Sequence, residues 1–219
     1  MTDLKVRAQT ALILMAIFLV CLSFGKNTLS VFMFMVGALS CKEMFNVVSA
    51  IKQFSKVLNV ILLSGLSLIF YYEGVASLLQ YDDFVYFIVI IMASVVAADT
   101  GAYFVGKNLG KTFTMKLASG ISPNKTLAGA FGGILSGGLV FTLLSMILFD
   151  LSLLELFLGG CLLVVASIAG DLLQSYCKRQ AGMSDSGVLL DGHGGVWDRF
   201  DSHKLAIPVF AYMLSVLLV

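Results

Sequence analysis

The chain has 219 residues, 59% of them hydrophobic, with 17 Phe, 10 Met and two Pro, and a mean hydropathy of +0.98. Soluble domains are nearer ~45–50% apolar, so this is a polytopic membrane protein with room for about seven spans of about 20 residues. A formal net charge of +1, without a basic stripe, excludes a nucleic-acid binder.

The first apolar run, 8–25, follows Lys5 and Arg7. No small-residue cleavage site closes it and more runs follow, so it is expected to be a retained span and not a signal peptide. The second span, 28–48, carries Lys42 and Glu43 near its inner end, so its hydrocarbon part is expected to stop near Ser40. A loop with Lys52 and Lys56 leads to the third span, 57–72, and an acidic link, 73–83, to the fourth, 84–98. A polar, glycine-bearing loop, 99–125, comes next. The fifth span is 126–149 and the sixth 152–170; the long polar stretch 171–203 precedes the last, 204–219.

With the N-terminus in the cytoplasm, every basic residue except Lys26 falls on the inner side, while Glu73, Asp82, Asp83, Asp150 and Glu155 fall outside. That positive-inside pattern puts both polar loops in the cytoplasm, and an even number of spans would scramble it. Nothing divides the chain, so 1–219 is expected to be one all-α integral membrane domain. Gly129, Gly133 and Gly137 line one face of the fifth span and let a neighbouring helix approach closely. Cys21, Cys41, Cys161 and Cys177 lack CxxC spacing and read as small hydrophobes, neither a disulfide set nor a zinc site.

The stretch 170–202, GDLLQSYCKRQAGMSDSGVLLDGHGGVWDRFDS, gathers Asp, Lys, Arg, repeated Gly and one of the two histidines in an otherwise apolar chain. Charge near lipid is expensive and usually functional. On one continuous helix Asp171, Ser175 and Lys178 share a face. An acid at a helix C-terminus is opposed by the dipole, and a divalent cation would compensate it; a solvated helix end is the plainer reading. Asp198 and Asp201 can present carboxylates to one point, as a hard cation with phosphate ligands requires. Arg199 offers a planar fork to a phosphate, or pairs with Asp201. Gly192, Gly194 and Gly195 surround His193 and allow backbone N–H groups to approach phosphate oxygens; His193 could equally cap the next helix. Lys178 and Arg179 serve either as membrane-surface anchors or as triphosphate ligands.

The loop 99–125 begins with Asp99 and Thr100, followed by Gly101, Gly106 and Gly110, with Lys107, Lys111, Lys116 and Lys125 behind. It holds no GxxxxGK[ST] and is not a Walker A loop. Ser122 is expected to cap the fifth helix with Pro123 at its first position, placing Lys125 and Thr126 beside it.

The C-terminal stretch closely resembles the signature of phosphatidate cytidylyltransferases, also called CDP-diacylglycerol synthases. Ser175, Lys178, Arg179, Asp185, Gly192, His193, Gly194, Gly195, Asp198, Arg199 and Asp201 match in order. A second region of the family resembles Asp99-Thr100, Ala102-Tyr103, Gly106, Gly110-Lys111, Ser122-Pro123, Lys125-Thr126, Gly129 and Gly132-Gly133. Together the matched parts cover about the C-terminal half; the first 80 residues match in hydropathy alone. Ser184 stands where the family has Lys, Asp191 where it has Pro, and Ala128 where it has Glu.

The resemblance implies a membrane enzyme, in a bacterial inner membrane with its site facing the cytoplasm, that makes CDP-diacylglycerol and pyrophosphate from CTP and phosphatidate. It implies Mg²⁺ held by Asp171 and Asp198, with Lys178 and Arg199 on the reacting phosphates. Substrate contacts fall to Asp99, Ser122, Lys125, Thr126, Ser175, Arg179, Asp185, Gly192, His193, Gly194, Gly195 and Asp201. A homodimer is compatible with it. A transporter should carry charges deep in several spans, and here they cluster at the inner surface. A CTP-dependent transferase acting on another lipid and an inactive paralogue are the remaining readings.

Overall fold

A computed structural model describes residues 2–109, 115–187, 189–190 and 194–217. In chain order the elements are α1 (Thr2–Ser23), α2 (Lys26–Ser49), α3 (Phe54–Leu78), α4 (Phe84–Leu109), β1 (Lys116–Ala118), β2 (Ser122–Thr126), α5 (Leu127–Ser145), α6 (Leu153–Gln180) and α7 (His203–Leu217). The protein is an all-α polytopic membrane protein with one small antiparallel hairpin, β1–β2. Helices α2 to α6 are long and apolar enough to cross a membrane, while Gln9–Ser23 and His203–Val216 are shorter apolar stretches.

Leu62, Phe70, Leu139 and Leu158 point outward, as lipid-facing side chains should. Tyr71, Phe84, Ile88, Leu163 and Ile207 fill the centre, and the Tyr71 hydroxyl donates to the Met33 carbonyl at 2.8 Å. The neighbour of the Gly129–Gly133–Gly137 stripe is α4. A Cβ at these positions would lie 2.9, 2.9 and 2.8 Å from the carbonyl oxygens of Ala102, Ala98 and Ser94. Only a bare Cα permits that backbone contact. On the other flank Gly74 of α3 accepts the backbone of Pro208 in α7.

Two boundaries differ from expectation. Helix α4 does not stop at 98 but runs through Leu109, so Asp99 to Leu109 are helical, while Lys116–Ala118 and Ser122–Thr126 are strands. Asp99 and Thr100 are polar yet do not break the helix, and the Thr100 hydroxyl donates back to the Val96 carbonyl at 2.7 Å. Helix α6 likewise extends past 170 to Gln180, with Lys178 and Arg179 in its last turn where the dipole favours cations. The expected Ser122 cap is also corrected. Ser122–Thr126 is a strand paired with Lys116–Ala118, so the helix starts later, and the Thr126 hydroxyl caps it by accepting from the Gly129 N–H at 3.0 Å.

Candidate active site

The polar ends of α4 and α6, the β1–β2 hairpin and the segment leading into α7 meet at one end of the bundle. Between them lies a cavity of about 500 Å³. Its polar rim holds Asp99 and Lys107 of α4, Ser122, Lys125 and Thr126 of β2, Asp171 of α6, and Ser202. Its floor is Ala98, Ala102, Gly106, Gly129 and Gly133, the same small residues that bring α4 against α5. The helix contact thus sets the cavity's shape, and the hairpin turns Lys125 into it.

Lys125 forms an ion pair with the Asp171 carboxylate, whose other oxygen accepts from the Ser175 hydroxyl at 3.2 Å. Because α6 is continuous, Ser175 and Lys178 follow Asp171 along one face, as their spacing requires. Gly170 is what admits Asp201 beside Asp171, for a Cβ there would sit 2.7 Å from the Asp201 carbonyl. Burial, with the charge of Asp171 added, pushes the Asp201 carboxyl up to about 7. Three of the signature's acids therefore act on one another: Asp99 and Asp201 both feel the charge of Asp171.

Asp198 stands in a second cluster behind the cavity. Its Oδ1 accepts from Lys178 Nζ at 2.7 Å; its Oδ2 accepts from the N–H of Ser186 (2.8 Å), the N–H of Gly195 (2.9 Å) and the Ser186 hydroxyl (3.0 Å). Burial opposes its charge, but Lys178 and the two backbone donors outweigh burial and hold the carboxyl below its ordinary value. Gly194 has φ 81, and a Cβ on it would lie 2.8 Å from Asp198 Oδ2, so both conformation and space demand glycine. Arg199 follows on the same turn, its N–H donating to the Val196 carbonyl at 3.0 Å. Arg179 lies outside both clusters; it donates to the carbonyls of Ile121 and Met183 and clamps the hairpin to the loop. Asp185 accepts from Ser184 at 2.7 Å. Gly192 and His193, together with Gly110, Lys111 and Asp191, lie outside the described residues.

Among the described residues no group of three or more His, Cys, Asp and Glu side chains is close enough to hold a metal ion. The donor chemistry nevertheless suits a hard cation at Asp171, a carboxylate crowded by other carboxylates and offset by one lysine. Asp198 fits less directly, since described donors already occupy both of its oxygens.

Three contributors carried no signal in the signature. Glu43 of α2 accepts from the second cluster's backbone. Gln174, 1% exposed, donates to the Trp197 carbonyl and accepts from Lys204 at 3.3 Å. Lys204 sits 4.8 Å over the Trp197 ring. An acid placed inside an apolar run is the one cue that could have singled out Glu43.

A family model described as the Cytidylyltransferase family matches residues 74–217. The chain belongs to this family. A phosphatidate cytidylyltransferase of Pseudomonas aeruginosa is 45% identical over 145 residues, 65% of this chain and 52% of that protein. One from Bacillus subtilis is 36% identical over 148 residues, 67% of this chain and 53% of its own length. The chain thus spans about half the length of these curated relatives. A phosphatidate cytidylyltransferase of Staphylococcus haemolyticus is 31% identical over 260 residues, 96% of this chain and 99% of that protein. The cytidylyltransferase match takes in the end of α3, all of α4 to α7 and every described cavity residue, but neither α1 nor α2.

Proposed function

We propose that this protein transfers a cytidylyl group from CTP to phosphatidate, giving CDP-diacylglycerol and pyrophosphate. The observation that carries the reading is the cavity itself. It presents Lys125 and Asp171, contributed by both halves of the family signature, at the polar end of a membrane bundle.

A phosphatidate phosphate oxygen attacks the α-phosphorus of CTP. The new P–O bond forms as the bond to the bridging oxygen breaks, and pyrophosphate leaves with that electron pair. The nucleophile is already anionic, so no strong general base is needed; catalysis consists of charge neutralisation and in-line positioning. Lys125 neutralises a phosphate when it exchanges Asp171 for substrate. Ser122 and Thr126 orient the same group from β2, and Asp99 faces it from α4. Lys178 and Arg199 offset the triphosphate from the second cluster, and Arg179 keeps the hairpin closed over it. Gly194 and Gly195 shape the backbone that approaches it, with Asp185 beside Gly194. Asp171 would hold Mg²⁺, flanked by Asp201; Asp198 Oδ1, now taken by Lys178, is the position for a second ligand. When bound, the cation would supply Lewis-acid stabilisation of the transferring phosphoryl charge.

The protein is an integral membrane protein, and we place the cavity at the cytoplasmic face of a bacterial inner membrane with seven spans. The positive-inside distribution supports that orientation. The test is turnover by the purified protein in lipid with CTP and phosphatidate, with and without Mg²⁺. Metal-dependent release of pyrophosphate with formation of CDP-diacylglycerol is expected. CTP binding without turnover on phosphatidate would redirect the reading to another lipid acceptor.

A further inference from the structure

We propose that Glu43, on α2 and outside the family-matched span, is a positioning residue that fixes the Asp198-bearing turn for the transfer reaction. The proposal rests on the function argued above, but its contact is visible without it. The Glu43 side chain is buried, the residue being 5% exposed. Its Oε1 accepts from the N–H of Val196 at 3.0 Å. Its Oε2 accepts from the N–H of Trp197 at 2.8 Å and from the Ser186 hydroxyl at 2.9 Å. It therefore caps the turn 196–199 as an N-terminal carboxylate caps a helix, but from an element some 150 residues away in sequence.

Two further features tie it to the site. The Ser186 hydroxyl lies between Glu43 Oε2 and Asp198 Oδ2, within reach of both, so the two carboxylates share its single proton. A Cβ on Gly195 would lie 2.1 Å from Glu43 Oε2, and one on Gly187 3.1 Å from Oε1. The glycines that shape the loop are thus also the ones that let this carboxylate reach its backbone. A buried acid with no role in the loop would be costly to keep; three donors and the nearby charge of Lys204 compensate it here.

Glu43→Gln separates positioning from space-filling. The amide has the same shape but a single acceptor oxygen, so it cannot serve both backbone N–H groups and turns a donor toward one of them. The readout exists in the molecule already. Trp197, whose N–H Glu43 holds, is the chain's single tryptophan and is 1% exposed. In the purified full chain, Glu43→Gln should shift Trp197 emission to the red and open it to quenching by acrylamide. Turnover should fall about 100-fold, the scale of a small misplacement of reacting groups. Glu43→Asp, one methylene shorter with both oxygens kept, should recover part of each signal, and the exposed Glu73→Gln should change neither. Wild-type emission in Glu43→Gln, or altered emission with full turnover, overturns the proposal. If Glu43→Gln does not fold, Glu43→Asp decides it: both signals must move together, and no movement in either overturns it. A wild-type protein without CTP turnover, but with the Trp197 shift in Glu43→Gln, refutes the assigned reaction while upholding the contact.

Discussion

Asp171 and Asp198 sit in the same signature, yet their surroundings set them to different tasks. Asp171 faces the cavity, paired with Lys125 and crowded by other acids, whereas Asp198 is wrapped by Lys178, Ser186 and Gly195. Asp171→Asn should therefore abolish turnover and leave the melting temperature in detergent nearly unchanged. Asp198→Ala should abolish turnover and also destabilise the protein by about 3 kcal/mol, because it strands a buried lysine and two backbone donors. Equal melting temperatures for the two variants would show that the loop does not depend on Asp198. The acids also give opposite pH slopes. Asp201, raised to about 7, binds its proton more tightly in the folded state than the ~3.9 of an unfolded carboxyl. Its contribution to stability is full below about pH 4 and is lost as pH rises through about 7. Asp198, held low, contributes above the usual carboxylate range and loses that contribution as pH falls through its folded value. The contribution lost by Asp201 between pH 5 and 8 in metal-free buffer is about 1–4 kcal/mol, and it should appear as the difference between the melting-temperature profiles of the wild type and Asp201→Asn.

At the scale of elements, the cavity depends on how closely α4 and α5 approach. Gly133→Leu drives a side chain into the Ala98 carbonyl and should cost about 3 kcal/mol, read as a fall in melting temperature and in CTP turnover. Gly120→Ala, with open space around it, should be silent. The glycine stripe was legible in sequence because a period of four marks one helix face, and hydropathy located the five long apolar helices α2 to α6 because each contains a continuous apolar run. What was not legible has physical causes. Asp99 lies on a helix that continues past the apolar run, because polarity marks the edge of lipid rather than the end of a helix; the continuous helix through Lys178 was the basis of its expected shared face with Asp171. SPNKT carries a helix-start pattern, yet the strand pairing of Ser122 with Ala118 overrides it, a tertiary effect no local window contains. The joining of Lys125 to Asp171, 46 residues apart, was approached only through the resemblance, which implies a substrate contact for Lys125 and a metal ligand for Asp171. The contact of Glu43 with Val196 and Trp197 left no trace, because four helices and a hairpin separate its partners along the chain.

For the whole molecule, the two ends of the bundle carry different chemistry, and that asymmetry bears on orientation. One end holds Lys107 and Lys125 on the cavity, with Lys178 and Arg179 in the last turn of α6; the loops away from it hold Asp82, Asp83 and Asp150, with Lys26 donating to the Tyr81 carbonyl at 3.0 Å. On the proposed orientation, this basic end would face the cytoplasm and suit both anionic lipid headgroups and a triphosphate. On the proposed function, CTP and the phosphatidate headgroup would both meet the cavity where Ser122, Lys125 and Thr126 of the hairpin line it. The prediction is sided. In a background with the four cysteines replaced by alanine, Ser119→Cys at the exposed hairpin tip should react with a membrane-impermeant thiol reagent only in inside-out vesicles. Asp82→Cys, exposed in the α3–α4 link, should react only in right-side-out cells or spheroplasts. The reverse pattern would place the cavity outside, where no CTP is supplied, and the cytidylyl-transfer reading would fall with it. Labelling of both positions from the same side would instead break the seven-span topology while leaving the chemistry of the cavity intact. On the proposed function, adding CTP should slow labelling at Ser119→Cys but not at Asp82→Cys, because the hairpin borders the cavity and the α3–α4 link does not.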